Sequence, residues 1–111
     1  MKRKYGNRKA ALDGHTFDSK KEARRYAELK LLERAGQISG LELQPRFELI
    51  PKQRRADGKA ERPCEYVADF RYTDTATGQE VIEDAKGMRT RDYIMKRKLM
   101  LQVHGITVRE V

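Results

Sequence analysis

Two short runs in the middle of the chain constrain the fold most. Residues 65–73 (EYVADFRYT) and 79–85 (QEVIEDA) each read as a strand, and only the turn 74–78 separates them. So short a connection pairs them as an antiparallel hairpin. By the two-residue period of a strand, Tyr66, Ala68, Phe70 and Tyr72 share one face of the first run, and Val67, Asp69 and Arg71 the other. In the second, Val81, Glu83 and Ala85 oppose Ile82, Asp84 and Lys86. Asp69 can then converge with Asp84 and Lys86 on one side. Acids set among apolar residues in central strands are costly unless they are paired or bind a metal.

The rest of the pattern supplies two helices and two further strands. Residues 9–18 suit a small hairpin turning at Asp13-Gly14. Ser19 precedes a helix over 20–35, closed by Gly36, with Ala23, Tyr26, Ala27 and Leu31 facing the core. Residues 42–50 (ELQPRFELI) read as a strand in which Pro45 marks an edge or bulge, and 51–63, with Asp57-Gly58, as a loop or hairpin tip. A second helix spans 91–103 before His104-Gly105, with Tyr93, Lys96, Met100 and Val103 on one stripe, and 106–111 form a last strand. The order helix, three strands, helix, strand predicts an α/β fold: a mixed central sheet flanked by two helices. At 111 residues the expectation is a flexible basic arm over 1–8 and a single domain over 9–111.

Charge narrows the partner. Lys and Arg number 25 against 17 Asp and Glu, a net +8, which favours a polyanion such as nucleic acid. The surplus sits in three segments. Residues 1–10 hold Lys2, Arg3, Lys4, Arg8 and Lys9 without an acid; 51–62 include Arg54 and Arg55; 86–98 include Arg89, Arg91 and Lys96. Solvated loops and helix faces are the plain alternative for any one of these runs. The single Cys64 excludes an intramolecular disulfide and a multi-cysteine zinc site. Without a long apolar run there is no membrane span or signal-peptide core, and a soluble, cytoplasmic setting is expected.

The chemistry that wants two carboxylates and a lysine beside basic segments is metal-assisted phosphodiester cleavage. Carboxylate oxygens suit Mg²⁺, with Mn²⁺ as a substitute, and a lysine can orient the attacking water or stabilise the charged transition state. Asp-x-Lys alone also describes a surface salt bridge between Asp84 and Lys86.

Over residues 17–111 the chain resembles the PD-(D/E)XK nuclease superfamily, in its branch of small phage-encoded endonucleases and Holliday-junction-resolvase-like proteins. The helix S-K-K-E-A-R-R-Y-A-E-L, the strand Y-V-A-D-F, the strand V-I-E-D-A-K-G and the Tyr- and Lys-bearing helix after it carry the likeness. The resemblance implies a restriction-endonuclease-like αβββαβ core and a Mg²⁺-dependent DNA endonuclease. In it Asp69 and Asp84 are metal ligands, the Ala85 carbonyl is a further ligand, Lys86 is the catalytic lysine, and Glu22 completes the acidic site. Branched DNA is the implied substrate, in recombination or replication and in the host cytoplasm for a phage protein; the two-fold symmetry of a junction favours a homodimer. Ala68 stands where many members have Pro, and Asp84 where Glu is commoner, with Glu83 beside it as the alternative ligand. Ser19-x-x-Glu22 is equally a capping box. Gln44 either lines the site or caps a sheet edge, and Lys96 either reaches a phosphate or snorkels to water. A non-catalytic nucleic-acid-binding protein that keeps this fold is the second functional reading. Its discriminant is the acid–acid–lysine set, which binding alone does not need.

Overall fold

The computed structural model describes residues 10–85 and 89–111. In chain order the elements are β1 (Ala10–Leu12), β2 (His15–Phe17), α1 (Lys20–Arg34), β3 (Ile38–Leu43), β4 (Arg46–Ile50), β5 (Gln53–Arg54), β6 (Ala60–Glu61), β7 (Cys64–Val67), β8 (Phe70–Asp74), β9 (Glu80–Asp84), α2 (Arg91–His104) and β10 (Arg109–Glu110). Four strands share one sheet in the order β10-β9-β8-β3. β10 runs parallel to β9, with Arg109 opposite Glu83 and Glu110 opposite Asp84. Hydrogen bonds from Asp74 N–H to Gln79 O (2.8 Å) and from Asp69 N–H to Glu83 O (3.1 Å) run in opposite chain directions along β8 and β9. The sheet is therefore mixed, and the protein is a mixed α/β fold with two helices. The chain divides into two compact units, residues 1–41 with 72–80, and residues 42–71 with 81–111.

In the first unit, β1 and β2 pair antiparallel around Asp13 (φ 53°) and Gly14 (φ 79°). Positive φ at both central residues is what the tight turn of a two-residue hairpin requires, and Asp-Gly tolerates it. Ser19 caps α1 by accepting the Glu22 N–H at 3.1 Å. Glu22, Ala23, Tyr26 and Leu29 are buried along the helix. The Tyr26 ring packs 5.0 Å from Phe17 and edge-on to His15 at 5.7 Å, and its hydroxyl donates to Asp13 at 3.2 Å. Leu31, expected in the core, is 63% exposed. It lies two residues beyond Leu29, about 200° round the helix, so both cannot face inward.

In the second unit, Phe47, Leu49, Tyr66, Ala68, Ile82, Tyr93, Met100 and Val108 form one buried cluster. Thr90 caps α2 by accepting the Tyr93 N–H at 3.1 Å, and Gly105 (φ 68°) ends it in the left-handed conformation that glycine accepts without strain. Tyr93 and Met100 are the buried members of the expected stripe, whereas Val103 is 49% exposed. β5 and β6 pair antiparallel at the hairpin tip. Two expected strands are broken. The expected strand 42–50 holds only the end of β3, which begins earlier, at Ile38, and then β4, with the break at Gln44, at φ 51°, and Pro45. Residues 65–73 divide into β7 and β8 around Ala68 and Asp69. The two breaks lie at one level: the Gln44 N–H donates to Asp69 O at 2.9 Å, and the Ala68 N–H donates to Pro45 O at 3.1 Å. Beyond them β4 pairs with β7 in a separate two-stranded sheet, with a register shift between Glu48 and Ile50. The last strand is shorter than expected, because only Arg109 and Glu110 pair with β9.

Candidate active site

Asp69 sits at the break between β7 and β8, where regular pairing with neighbouring strands lapses. Its backbone is held on both sides, by Gln44 N–H at its carbonyl and by its own N–H on Glu83 O. Its carboxylate accepts the Ala85 N–H at 2.7 Å. Ala85 is the residue between Asp84 and Lys86, so Asp69 is tied directly to the Asp-x-Lys segment. Asp84 and Glu83 are both fully buried (0% exposed). Alternation along β9 sends them to opposite faces. Asp84 falls with Ile82 on the clustered face, where its carboxylate accepts the Tyr66 hydroxyl. Burial holds the Tyr66 phenol well above its ordinary value, reinforced by the Asp84 hydrogen bond and charge and, less strongly, by the charge of Asp69.

Tyr66 lies 6.3 Å, ring to ring, from Tyr93, whose own hydroxyl donates to Glu110 at 2.8 Å. Arg97 (3.1 Å) and Arg89 (2.7 Å) complete the set around Glu110. The Tyr93 hydrogen bond, then the arginines, hold the Glu110 carboxyl below its ordinary 4.5. A depressed carboxyl contributes stability that is complete above the unfolded pKa and is lost as pH falls through the folded one. Thermal melts from pH 7 down to below about 4.5 should therefore show wild type losing more Tm than Glu110→Gln.

A cleft of about 240 Å³ opens beside the two tyrosines, lined by Glu65, Tyr66, Thr90, Asp92, Tyr93 and Lys96 among others. Lys96 is half-buried there and pairs with Asp92 at 3.6 Å. Of the other basic residues singled out, Arg54 donates to Gly58 O at 2.9 Å and Arg55 pairs with Asp57 at 2.7 Å, both shaping the hairpin tip. Arg89 holds Glu110, and Arg91 is exposed at the start of α2. Exposed pairs of this kind are weak. Gln44 contributes its backbone N–H to Asp69, and its side chain is exposed. Cys64 is half-buried against the core cluster. His104 bonds Glu48 O at 2.7 Å. Lys86, Lys2, Arg3, Lys4 and Arg8, with the whole basic arm, lie outside the described residues. Glu22 is buried on α1 in the first unit, and its backbone N–H supplies the Ser19 half of the capping box.

Among the described residues no group of three or more His, Cys, Asp or Glu side chains gathers tightly enough to hold a metal. Two carboxylates and a backbone carbonyl are nevertheless the hard oxygen donors that Mg²⁺ takes, since it is usually bound by one or two carboxylates with water and phosphate oxygens. Asp69, Asp84 and Ala85 supply that donor type.

Sequence reasoning singled out the acids but missed the Tyr66–Asp84 bond and the Tyr93–Glu110–arginine cluster. A usable signal existed: a tyrosine on a buried face needs a partner for its hydroxyl.

Fold and site together define a mixed α/β protein with a buried aspartate–tyrosine pair next to an Asp-x-Lys segment. Residues 2–109 match the family described as a protein of unknown function, DUF1064, and the chain belongs to that family. No curated protein and no solved structure matches it. No helix among the described residues is long and apolar enough to cross a membrane.

Proposed function

We propose that this chain is a Mg²⁺-dependent DNA endonuclease of the PD-(D/E)XK type, acting on branched DNA. The observation that carries the reading is the 2.7 Å bond from the Ala85 N–H to the Asp69 carboxylate, which links one acid to the backbone between the second acid and the lysine. Asp69, Asp84 and the Ala85 carbonyl would hold the metal. When bound, the ion supplies Lewis-acid polarisation of the scissile phosphate and lowers the pKa of an attacking water. Lys86 orients that water or neutralises charge developing on the phosphate. The basic segments grip phosphates without reading bases, so DNA shape governs substrate choice. A two-fold junction fits a homodimer with one site per subunit. The test is cleavage of labelled DNA by the purified chain with Mg²⁺ or with EDTA.

A protein that binds nucleic acid without cutting is the second reading. It is favoured by the full burial of Asp84 against Tyr66, which a structural role also explains.

Binding should be strongly salt-dependent, with a log–log slope of roughly −0.9 per neutralised phosphate on duplex DNA. Removing residues 1–8, which carry Lys2, Arg3, Lys4 and Arg8, should flatten that slope and leave the cleavage step intact. An unchanged slope would show that the arm does not touch DNA.

Glu22→Gln separates the two roles of that residue. Gln also serves at the third position of a capping box, so a capping role alone predicts a stability loss well under ~1 kcal/mol and surviving cleavage. If Glu22 acts in the chemistry, loss of its charge lowers cleavage by orders of magnitude while Tm barely moves. The second result is the one expected.

A further inference from the structure

We infer that Tyr66 is a positioning residue for Asp84: its hydroxyl fixes the rotation of that carboxylate and so sets the affinity of the metal site. The inference rests on the metal-dependent reading above. A carboxylate on a short side chain can still turn about its own bonds, and a ligand that turns binds a cation less well. The Tyr66 hydroxyl takes one oxygen of Asp84. The ring that carries it is 3% exposed, within a cluster that includes Phe47, Ala68, Ile82 and Met100. Such a ring cannot follow the carboxylate, so the carboxylate must conform to the ring. The bond also crosses from β7, in the two-stranded sheet, to β9, in the four-stranded one. Tyr66 thereby ties Asp84 to an element other than its own strand. Groups that hold a ligating carboxylate from behind typically control metal affinity or activity by about 10–100-fold.

A merely structural tyrosine would satisfy its hydroxyl on Asp84 without affecting the metal. Tyr93 is the internal comparison, also buried and bonded to a carboxylate, but to Glu110 instead of Asp84.

The experiment titrates Mn²⁺ alone into wild type, Tyr66→Phe and Tyr93→Phe by electron paramagnetic resonance, and then measures cleavage against Mg²⁺ concentration. Tyr66→Phe should weaken Mn²⁺ binding by about 10–100-fold and raise the half-saturating Mg²⁺ by a similar factor, with the maximal rate largely restored at excess metal. Tyr93→Phe should bind Mn²⁺ like wild type. Wild-type Mn²⁺ affinity in Tyr66→Phe, or a rate loss that excess metal does not restore, overturns the inference. If circular dichroism shows Tyr66→Phe unfolded, the near-UV tyrosine spectrum decides instead. Mg²⁺ should perturb it in Tyr93→Phe, which retains Tyr66, and not in Asp84→Asn; no perturbation in Tyr93→Phe overturns the inference. A wild-type chain that binds no Mn²⁺ and does not cut overturns the metal reading itself, a result distinct from wild-type binding that ignores Tyr66.

Discussion

Asp84→Asn is expected to lower cleavage by orders of magnitude, to background, while DNA binding stays at wild-type strength or tightens. The substitution is conservative in shape. An amide oxygen can still accept the Tyr66 hydroxyl, so that buried contact is kept. What is lost is a negative charge and a hard oxygen ligand, and with it repulsion of the phosphates. Asp69→Asn should behave alike, since its amide oxygen can still accept the Ala85 N–H. Gel-shift and cleavage assays on the same preparations separate the two effects. Native-rate cutting by either variant removes that residue from the site.

Lys86→Ala is expected to be as damaging to cleavage and to leave metal binding in place. A lysine that orients water or neutralises developing charge acts on the reaction and not on the ion, so Mn²⁺ affinity should match wild type while turnover collapses. Loss of Mn²⁺ affinity in Lys86→Ala would instead assign the lysine a part in building the acidic site.

Where local chemistry decides the structure, the sequence was legible. Asp13-Gly14 specifies the turn, Ser19 and Gly36 bracket α1, and Gly105 stops α2. The strand breaks were not legible. Tyr66, Ala68, Phe70 and Tyr72 are all buried, so the two-residue period passes through Ala68 and Asp69 unchanged although the pairing does not. Only Pro45 announced a disturbance, and it lies in the other strand. Glu83 shows a second limit: β9 is buried on both faces at Ile82, Glu83 and Asp84, and alternation cannot report that. For the site, the sequence marked Asp69 and Asp84 as costly charges in central strands, but alternation set Asp84 on the side away from Tyr66, whereas its carboxylate accepts the Tyr66 hydroxyl. Their connections to Ala85 and Tyr66 span 16 and 18 residues and depend on how the broken strands pair, which no local pattern encodes.

The central claim is that this chain hydrolyses DNA with a divalent metal held by Asp69 and Asp84. The most direct measurement incubates purified wild-type protein and Asp84→Asn with labelled four-way junction, flap, duplex and single-stranded DNA, in Mg²⁺ and in EDTA. The account predicts Mg²⁺-dependent cutting by wild type, strongest on the branched substrates, and none by Asp84→Asn or in EDTA. Tight binding of all these substrates without any cleavage in Mg²⁺ or Mn²⁺ would contradict it, as would cleavage that EDTA leaves untouched.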